Sequence, residues 1–515
     1  MIRLFFSFIT RFFFGPHWRF PQFVVRPARL LYERALVLST VFVGRSGVGK
    51  TYAMAVELLE LMKAHPEQAF IIFDWSGGLI VILMLLILSD RDSWKLLPRL
   101  VFDAMGGRII NGRSYVMPMP EFSEKYDPEK PWLERVEDQV DRVQRVFEAL
   151  NEELIKRNPT LGARPIKSLL ANLLLLANAV TDKKGNSWQI TEVSRLLNEE
   201  IRKNIRQIFG GKVKKANDYF KYTFTGESKL DRDMANALAD VLDILKSRRV
   251  RARVGYPFPG WNLDEATQKG QIIFCDGSAL TNNHNQKDYL FLTLLFLFVD
   301  FLNKRPASRP GYHPINLVID EGYTFTENRT VARILSHFPS EYRSRLLQFF
   351  FVIQSPKQLP GEENGKKGLA DMLFDFSNMV VFSILDIDAC QSVVKNFFEF
   401  QPQMVKVPSQ REGQHDIMEN RDEQLAVKAY QLQRLAHREC YVRRFIDETK
   451  MDKIIHVGRT RDVRITATNE DVENLKDKLM IERGVLLSEA EKIIGERSIS
   501  VQQAKPTPRR QPRRV

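Results

Sequence analysis

A β-branched apolar run, Leu36–Val43 (LVLSTVFV), passes directly into Gly44-Arg45-Ser46-Gly47-Val48-Gly49-Lys50-Thr51. These eight residues satisfy the pattern G-x-x-x-x-G-K-[ST] at every fixed position, and a helical stretch from Lys50 to about Ala64 follows. The glycines let the backbone curl so that its N–H groups converge on an anion, and the next helix adds the positive end of its dipole. A loop of this kind needs a buried parallel strand before it and a helix after it, which predicts an α/β domain. Gly44, Arg45, Ser46, Gly47, Val48 and Gly49, with Lys50 and Thr51, form the candidate phosphate site. Lys50 is suited to the β- and γ-phosphates of ATP, and the Thr51 hydroxyl to Mg²⁺.

The surrounding pattern agrees. Ala69–Trp75 (AFIIFDW) reads as a second buried strand, followed by Ser76-Gly77-Gly78 and an apolar helix from Leu79; Arg99–Met105 reads as a third. From about Pro131 to Arg253 the pattern is helical: Trp132–Arg157, Pro165–Val180, Thr191–Ile208 with Thr191 as N-cap, and Leu230–Arg249. Alternation resumes with Gln271–Cys275, the helix Tyr289–Leu302, Ile315–Ile319, Phe349–Ile353 and Met379–Ile384. Gly361–Gly368 and Pro408–Gln424 read as mobile loops. Thr468–Asp471 and Ser488–Glu491 fit capping boxes at the starts of two terminal helices.

The expected organisation has five parts: an aromatic and basic segment (1–34), a first α/β part (35–125), an all-α insertion (126–255), a second α/β part (256–460), and a helical appendage with a basic tail (461–515). Three widely separated cysteines, Cys275, Cys390 and Cys440, exclude a disulfide scaffold or zinc module and fit a reducing compartment. The longest apolar runs, Leu4–Phe14 (interrupted by Arg11) and Leu79–Leu88, fall short of the roughly 20 residues a membrane span needs.

The 515 residues carry a net charge of +13, and its placement is more informative than its size. Residues 1–34 hold six arginines against one acid, and 505–515 hold five basic residues and no acid, so these two ends account for ten of the thirteen charges. The N-terminal segment interleaves Phe5, Phe6, Phe8 and Trp18 with Arg3, Arg11 and Arg19. Two readings stand for it: an interfacial segment on a membrane, or an element packed on the chain's own core or a neighbouring subunit.

A phosphate loop needs an acidic partner on another strand. Asn316–Glu321 (NLVIDE) supplies one, with Asp320 suited to the metal and Glu321 to the attacking water. Phe349–Ile353 leads into Gln354, whose amide can sense the γ-phosphate, or serve only as a cap. Arg343 and Arg345 precede that strand; one of them is a candidate arginine finger toward a neighbouring subunit, and a solvated face is the alternative. Asp74 ends the second strand, where it acts on the catalytic water or caps the following turn. The basic run Lys246–Arg253 offers Lys246, Arg248, Arg249, Arg251 and Arg253 to nucleic-acid phosphates, with solvated charge as the alternative. Lys212, Lys214, Lys215 and Lys221 with Tyr219, Phe220 and Tyr222 form a second candidate surface, whose aromatics can equally be core.

GRSGVGKT, FDWSGG, VIDEGYTF, EYRSR and FVIQSPKQL together resemble the HerA–FtsK superfamily of ring-forming DNA-translocating ATPases, and within it the TraG-like coupling proteins of conjugation and type IV secretion. The similarity spans roughly residues 30–460. It implies a RecA-like P-loop ATPase fold with an inserted all-α domain, a homohexamer hydrolysing ATP with Mg²⁺, and DNA in a central channel. It further implies a relaxase or other substrate proteins as partners; the expected location is cytoplasmic or peripheral at the inner face of the cell membrane, where the aromatic and basic N-terminal segment offers a contact to the membrane or to an inner-membrane secretion-channel protein. Residue by residue, it assigns Lys50 and Thr51 to phosphate and Mg²⁺, Asp320 and Glu321 to metal and water, Gln354 to sensing and Arg343 to the finger. Two other readings stand beside a DNA motor: an ATPase powering protein export or channel assembly, and a nucleotide-dependent scaffold.

Overall fold

A computed structural model describes residues 39–120, 132–150, 163–180, 188–280, 283–305, 312–326, 328–360, 369–373, 376–398, 405–407, 417–418, 420–443 and 456–502. The segments 1–34 and 505–515, which hold most of the net charge, and the stretch Gly361–Gly368 lie outside them.

Fourteen strands occur among the described residues. In chain order they are β1 (Thr40–Val43), β2 (Ala69–Asp74), β3 (Leu100–Ala104), β4 (Arg108–Ile110), β5 (Arg113–Val116), β6 (Ile272–Asp276), β7 (Ile315–Asp320), β8 (Leu347–Ile353), β9 (Asn378–Val381), β10 (Val405–Val407), β11 (Ile417–Met418), β12 (Glu439–Arg443), β13 (His456–Arg459) and β14 (Val485–Leu486). Nine of them form one sheet, in the order β13-β12-β9-β1-β8-β7-β2-β6-β3. From β9 to β3 every pairing is parallel. β12 then adds antiparallel to β9, and β13 to β12. The seven parallel strands are buried along their whole length, which is why they read as unbroken apolar runs rather than alternating ones.

The expected α/β architecture is therefore present: a large, mostly parallel sheet with the phosphate-loop strand β1 inside it and helices packed around it. Gly78–Ser89 (GLIVILMLLILS) is apolar on nearly all sides because it lies between the helix Lys50–Ala64 and the C-terminal helix Asn469–Arg483. A helix apolar all round belongs in a core. The longer helix His284–Lys304 packs on Trp132–Leu150, joining the helical segment to the sheet.

Between 132 and 255 the described residues hold helices and no strand. Two local expectations change there and at the C-terminus. Thr191 lies inside a helix: Gln189 is the N-cap, in a capping box with Glu192, and Asn198 caps a separate helix, Glu199–Phe209. Thr468 and Asp471 do form their capping box, but Ser488 is already inside the helix Leu487–Gln502, and Glu491 holds Arg248 instead of a backbone N–H.

The C-terminal helices pack onto the body. β14 joins β5 and β4 in a three-stranded sheet, and Leu487–Gln502 packs on Arg248–Gly255. Arg497 of Leu487–Gln502 also forms a fully buried ion pair at 2.7 Å with Glu192 of the short helix Ile190–Val193. Arg108 bonds Glu473 at 2.7 Å and Asp477 at 2.5 Å, fixing Asn469–Arg483 beside β3.

Candidate functional site

The carboxyl ends of parallel strands are where open α/β sheets bind ligands, and β1, β7 and β8 converge there. A cleft of about 410 Å³ at this edge is lined by Ser46, Gly47, Gly49, Lys50 and Thr51 from the loop and by Asp320, Glu321 and Gln354 from the two neighbouring strands. Residues drawn from three segments of the sequence thus meet in one cavity.

The loop owes its shape to its glycines. Gly47 (φ 78°) and Gly49 (φ 98°) occupy the left-handed region that side chains disfavour, and Gly49 is the N-cap of Lys50–Ala64. Gly44 backs onto Phe382, where a Cβ would come within 2.7 Å of another Cβ, and Arg45 N donates to Ser383 O at 2.9 Å. Gly44, Arg45 and Val48 shape the loop from behind and do not line the cleft; Val48 is buried.

Lys50 is buried, and its ammonium donates to Gly44 O and to Arg45 O, the latter at 2.8 Å. Burial lowers its pKa to about 8, opposed by the charges of Asp320 and Glu321. The cation is thus held by the loop's own carbonyls, weak partners that phosphate oxygens would replace.

Asp320 is buried at the end of β7, and Glu321 N donates to it at 3.0 Å. Its pKa rises to about 7, first from burial and then from the nearby charges of Asp74 and Glu321. Asp320 and Glu321 therefore meet at one edge of the cleft, with the charge of Asp74 close behind and Lys50 as their nearby cation. Glu321 follows with φ 54°, an uncommon backbone for a side chain with a Cβ, and such outliers concentrate at functional sites. After β8, Gln358 Oε1 accepts from Gln354 N and Ser355 N, both at 3.1 Å, which fixes the turn that carries Gln354.

Thr51 and Asp320 are hard oxygen donors beside an excess of negative charge, a donor set that fits Mg²⁺ with a phosphate.

Other expected residues lie elsewhere. Asp74 does not line the cleft: its carboxylate accepts from Ser76 N, Ser76 Oγ, Gly77 N and Ile80 N at 2.8–3.0 Å, so it caps the turn into Gly78–Ser89. Arg343 sits in the turn Glu341–Arg345 before β8, at the other end of a seven-residue strand, about 23 Å of chain from Gln354.

Among the basic run, Arg253 is a correction. It is 2 % exposed, pairs with Asp103 at 2.5 and 2.6 Å, and donates to Met117 O, so no external phosphate reaches it. Arg248 holds Glu491, Arg249 donates to Gly106 O, and Lys246 pairs with Asp243. The Nε of Arg251 is buried. Phe220 of the second candidate surface is buried beneath Arg202, whereas Tyr222 is exposed.

Sequence reading did not anticipate Tyr52, Ile82, His437 or Arg438 in the cleft. Tyr52 could have been found by extending the loop motif one residue. His437 and Arg438 belong to no motif; the pairing of β12 to β9 brings them in.

Strand order, loop and acidic partner together define a RecA-like P-loop fold. No family model matches the chain, and no curated protein does. Solved structures similar to it include the unbound bacterial conjugative coupling protein TrwBΔN70, at 13 % identity and a TM-score of 0.48, covering 84 % of this chain and 87 % of that one. The plasmid coupling protein TrwB in complex with ADP and Mg²⁺ matches at 13 % identity and 0.47, with the same coverage. VirB4 of Thermoanaerobacter pseudethanolicus matches at 11 % and 0.47, covering 83 % of this chain and 90 % of that one. Among the described residues, no helix is long and apolar enough to cross a membrane.

Proposed function

We propose that this chain is a Mg²⁺-dependent ATPase that works as a homohexameric DNA translocase in conjugative transfer or type IV secretion. The observation that supports it best is the meeting of Lys50, Thr51, Asp320, Glu321 and Gln354 in one cleft at the carboxyl edge of the sheet. In this reading the loop N–H groups and Lys50 take the phosphates, releasing Lys50 from Gly44 O and Arg45 O. Thr51 and Asp320 hold Mg²⁺, which when bound neutralises charge on the phosphate oxygens. Glu321 accepts the proton of a water whose oxygen attacks the γ-phosphorus as the bond to the β–γ bridging oxygen breaks. Gln354 orients that water.

A carboxylate base beside the phosphates, with no second site for an acceptor hydroxyl in the motifs, favours hydrolysis over phosphoryl transfer. DNA as cargo, the ring, Arg343 acting on a neighbour's site, and membrane docking through residues 1–34 belong to the same proposal and rest on the motif resemblance. The test is ATP hydrolysis by the full chain with and without DNA, alongside the mass of the assembly. Stimulation severalfold by DNA in a six-subunit particle is expected. Equal rates with and without DNA would favour export of protein or assembly of a channel over DNA transport.

A further inference from the structure

The cleft has a second cation, and its geometry is unlike that of Lys50. Arg438 stands at the start of β12 with φ 66°, a left-handed backbone for a non-glycine residue. Its backbone is held on both sides. Its N–H donates to Val48 O inside the phosphate loop at 2.9 Å, and its carbonyl accepts from Thr460 N at 3.1 Å. Its side chain lies across the loop, so close to Gly49 that a Cβ there would come within 2.9 Å of Arg438 Cγ. The guanidinium rests 4.4 Å above the centre of the Tyr52 ring. The Tyr52 hydroxyl in turn accepts from Val463 N at 2.9 Å, which fixes the ring.

Position within the loop decides what such a group meets. Lys50 stands with Asp320 and Glu321 at the β,γ-phosphate side. Arg438 is on Gly49 and Tyr52, the start of the helix, where P-loop backbones cradle the α-phosphate. A planar guanidinium held over a tyrosine ring in the lining of the cleft suits an α-phosphate oxygen pair. Its charge is meanwhile satisfied by Asp462, a carboxylate that is 77 % exposed. The Nε of Arg438 is buried and has no hydrogen-bond partner among the described residues. An exposed ion pair is weak, so exchange of Asp462 for a nucleotide phosphate is readily driven.

We infer that Arg438, supported by Tyr52, binds the α-phosphate of the nucleotide from within the same subunit, and that Asp462 is the anion it releases on binding. The inference rests on the nucleotide-site reading above and deepens it. Because the α-phosphate is common to ATP and ADP, Arg438 acts on both alike, whereas a γ-phosphate sensor distinguishes them.

The experiment is titration of the full chain with fluorescent ATP and ADP analogues in Mg²⁺, comparing the unaltered chain with Arg438→Ala, Asp462→Asn and Lys50→Ala. Arg438→Ala weakens both nucleotides by a similar factor of about tenfold or more. Asp462→Asn, a change at an exposed site, tightens both by removing the competing anion, and it reports even if Arg438→Ala fails to fold. Unchanged affinity for both nucleotides in Arg438→Ala, or no change in Asp462→Asn, while Lys50→Ala weakens ATP, overturns the inference and leaves the site reading standing. No nucleotide binding by the unaltered chain overturns both.

Discussion

β7, β2 and β6 lie side by side, each ends in an aspartate, and their register aligns Asp320, Asp74 and Asp276 in one row. The two ends of this row are treated in opposite ways. At the β6 end, Asp276 accepts from Ser278 N at 2.9 Å and faces the buried Lys476 at 3.5 Å; next to it on β3, Asp103 is gripped by Arg253 and by Trp261 Nε1. At the β7 end, Asp320 has Asp74 and Glu321 for neighbours, and its pKa rises to about 7. Similar strands ending in the same residue type thus become a welded structural edge in one place and a charge-hungry cleft in the other. What separates them is how fully the fold supplies the counter-charge: Asp103 and Asp276 each face a cation, whereas Asp320, Asp74 and Glu321 crowd around Lys50.

That contrast can be broken from either side. The largest effect is expected at the cleft. Glu321→Gln lowers turnover by about 10²–10⁴-fold while nucleotide binding persists, read from steady-state rates beside a binding titration. At the welded edge, Arg253→Ala leaves the buried Asp103 without its cation, with Trp261 Nε1 still donating to it, and lowers stability by about 3–5 kcal/mol, measured by denaturant unfolding. Lys476→Met removes the cation facing Asp276 and turns that position toward the condition of Asp320, at a cost of about 1–3 kcal/mol in the same assay.

Glu57 sharpens the comparison with a third outcome. It is buried on the helix Lys50–Ala64, its Oε2 lacks a hydrogen-bond partner among the described residues, and burial followed by the charge of Glu60 raises its pKa well above the usual glutamate value. The folded state therefore holds its proton more tightly than the unfolded chain does. Its contribution is complete below the ordinary glutamate range and is lost as pH rises above it. Glu57→Gln should narrow the difference in melting temperature between pH 5 and pH 8, an effect of about 1 kcal/mol.

The cleft was legible in the sequence where chemistry dictates residue order. The loop must follow a strand, and Asp320-Glu321 must end one, so both carry their structural context with them. Gln354 was legible for the same reason. Arg438 was not, because it arrives through the antiparallel pairing of β12 with β9, and no local pattern marks that pairing. Arg253 misleads for a related reason. A run of five basic residues with no acid looks solvated, but the partner that buries one of them, Asp103, lies 150 residues earlier. Charge runs reveal composition, whereas burial is decided by what the topology places opposite.

Asp320, with Asp74 and Glu321 beside it and Lys50 as their shared cation, is left with excess negative charge that Mg²⁺ with a nucleotide would offset. Asp320→Asn tests this most directly, with Mg²⁺-dependent ATP hydrolysis and apo melting temperature measured on the same protein. Hydrolysis should fall by at least about a hundredfold while the melting temperature holds or rises, since the substitution relieves crowding with Asp74 and Glu321. Hydrolysis at the unaltered rate, or a melting temperature that collapses as for a welded aspartate, would contradict it.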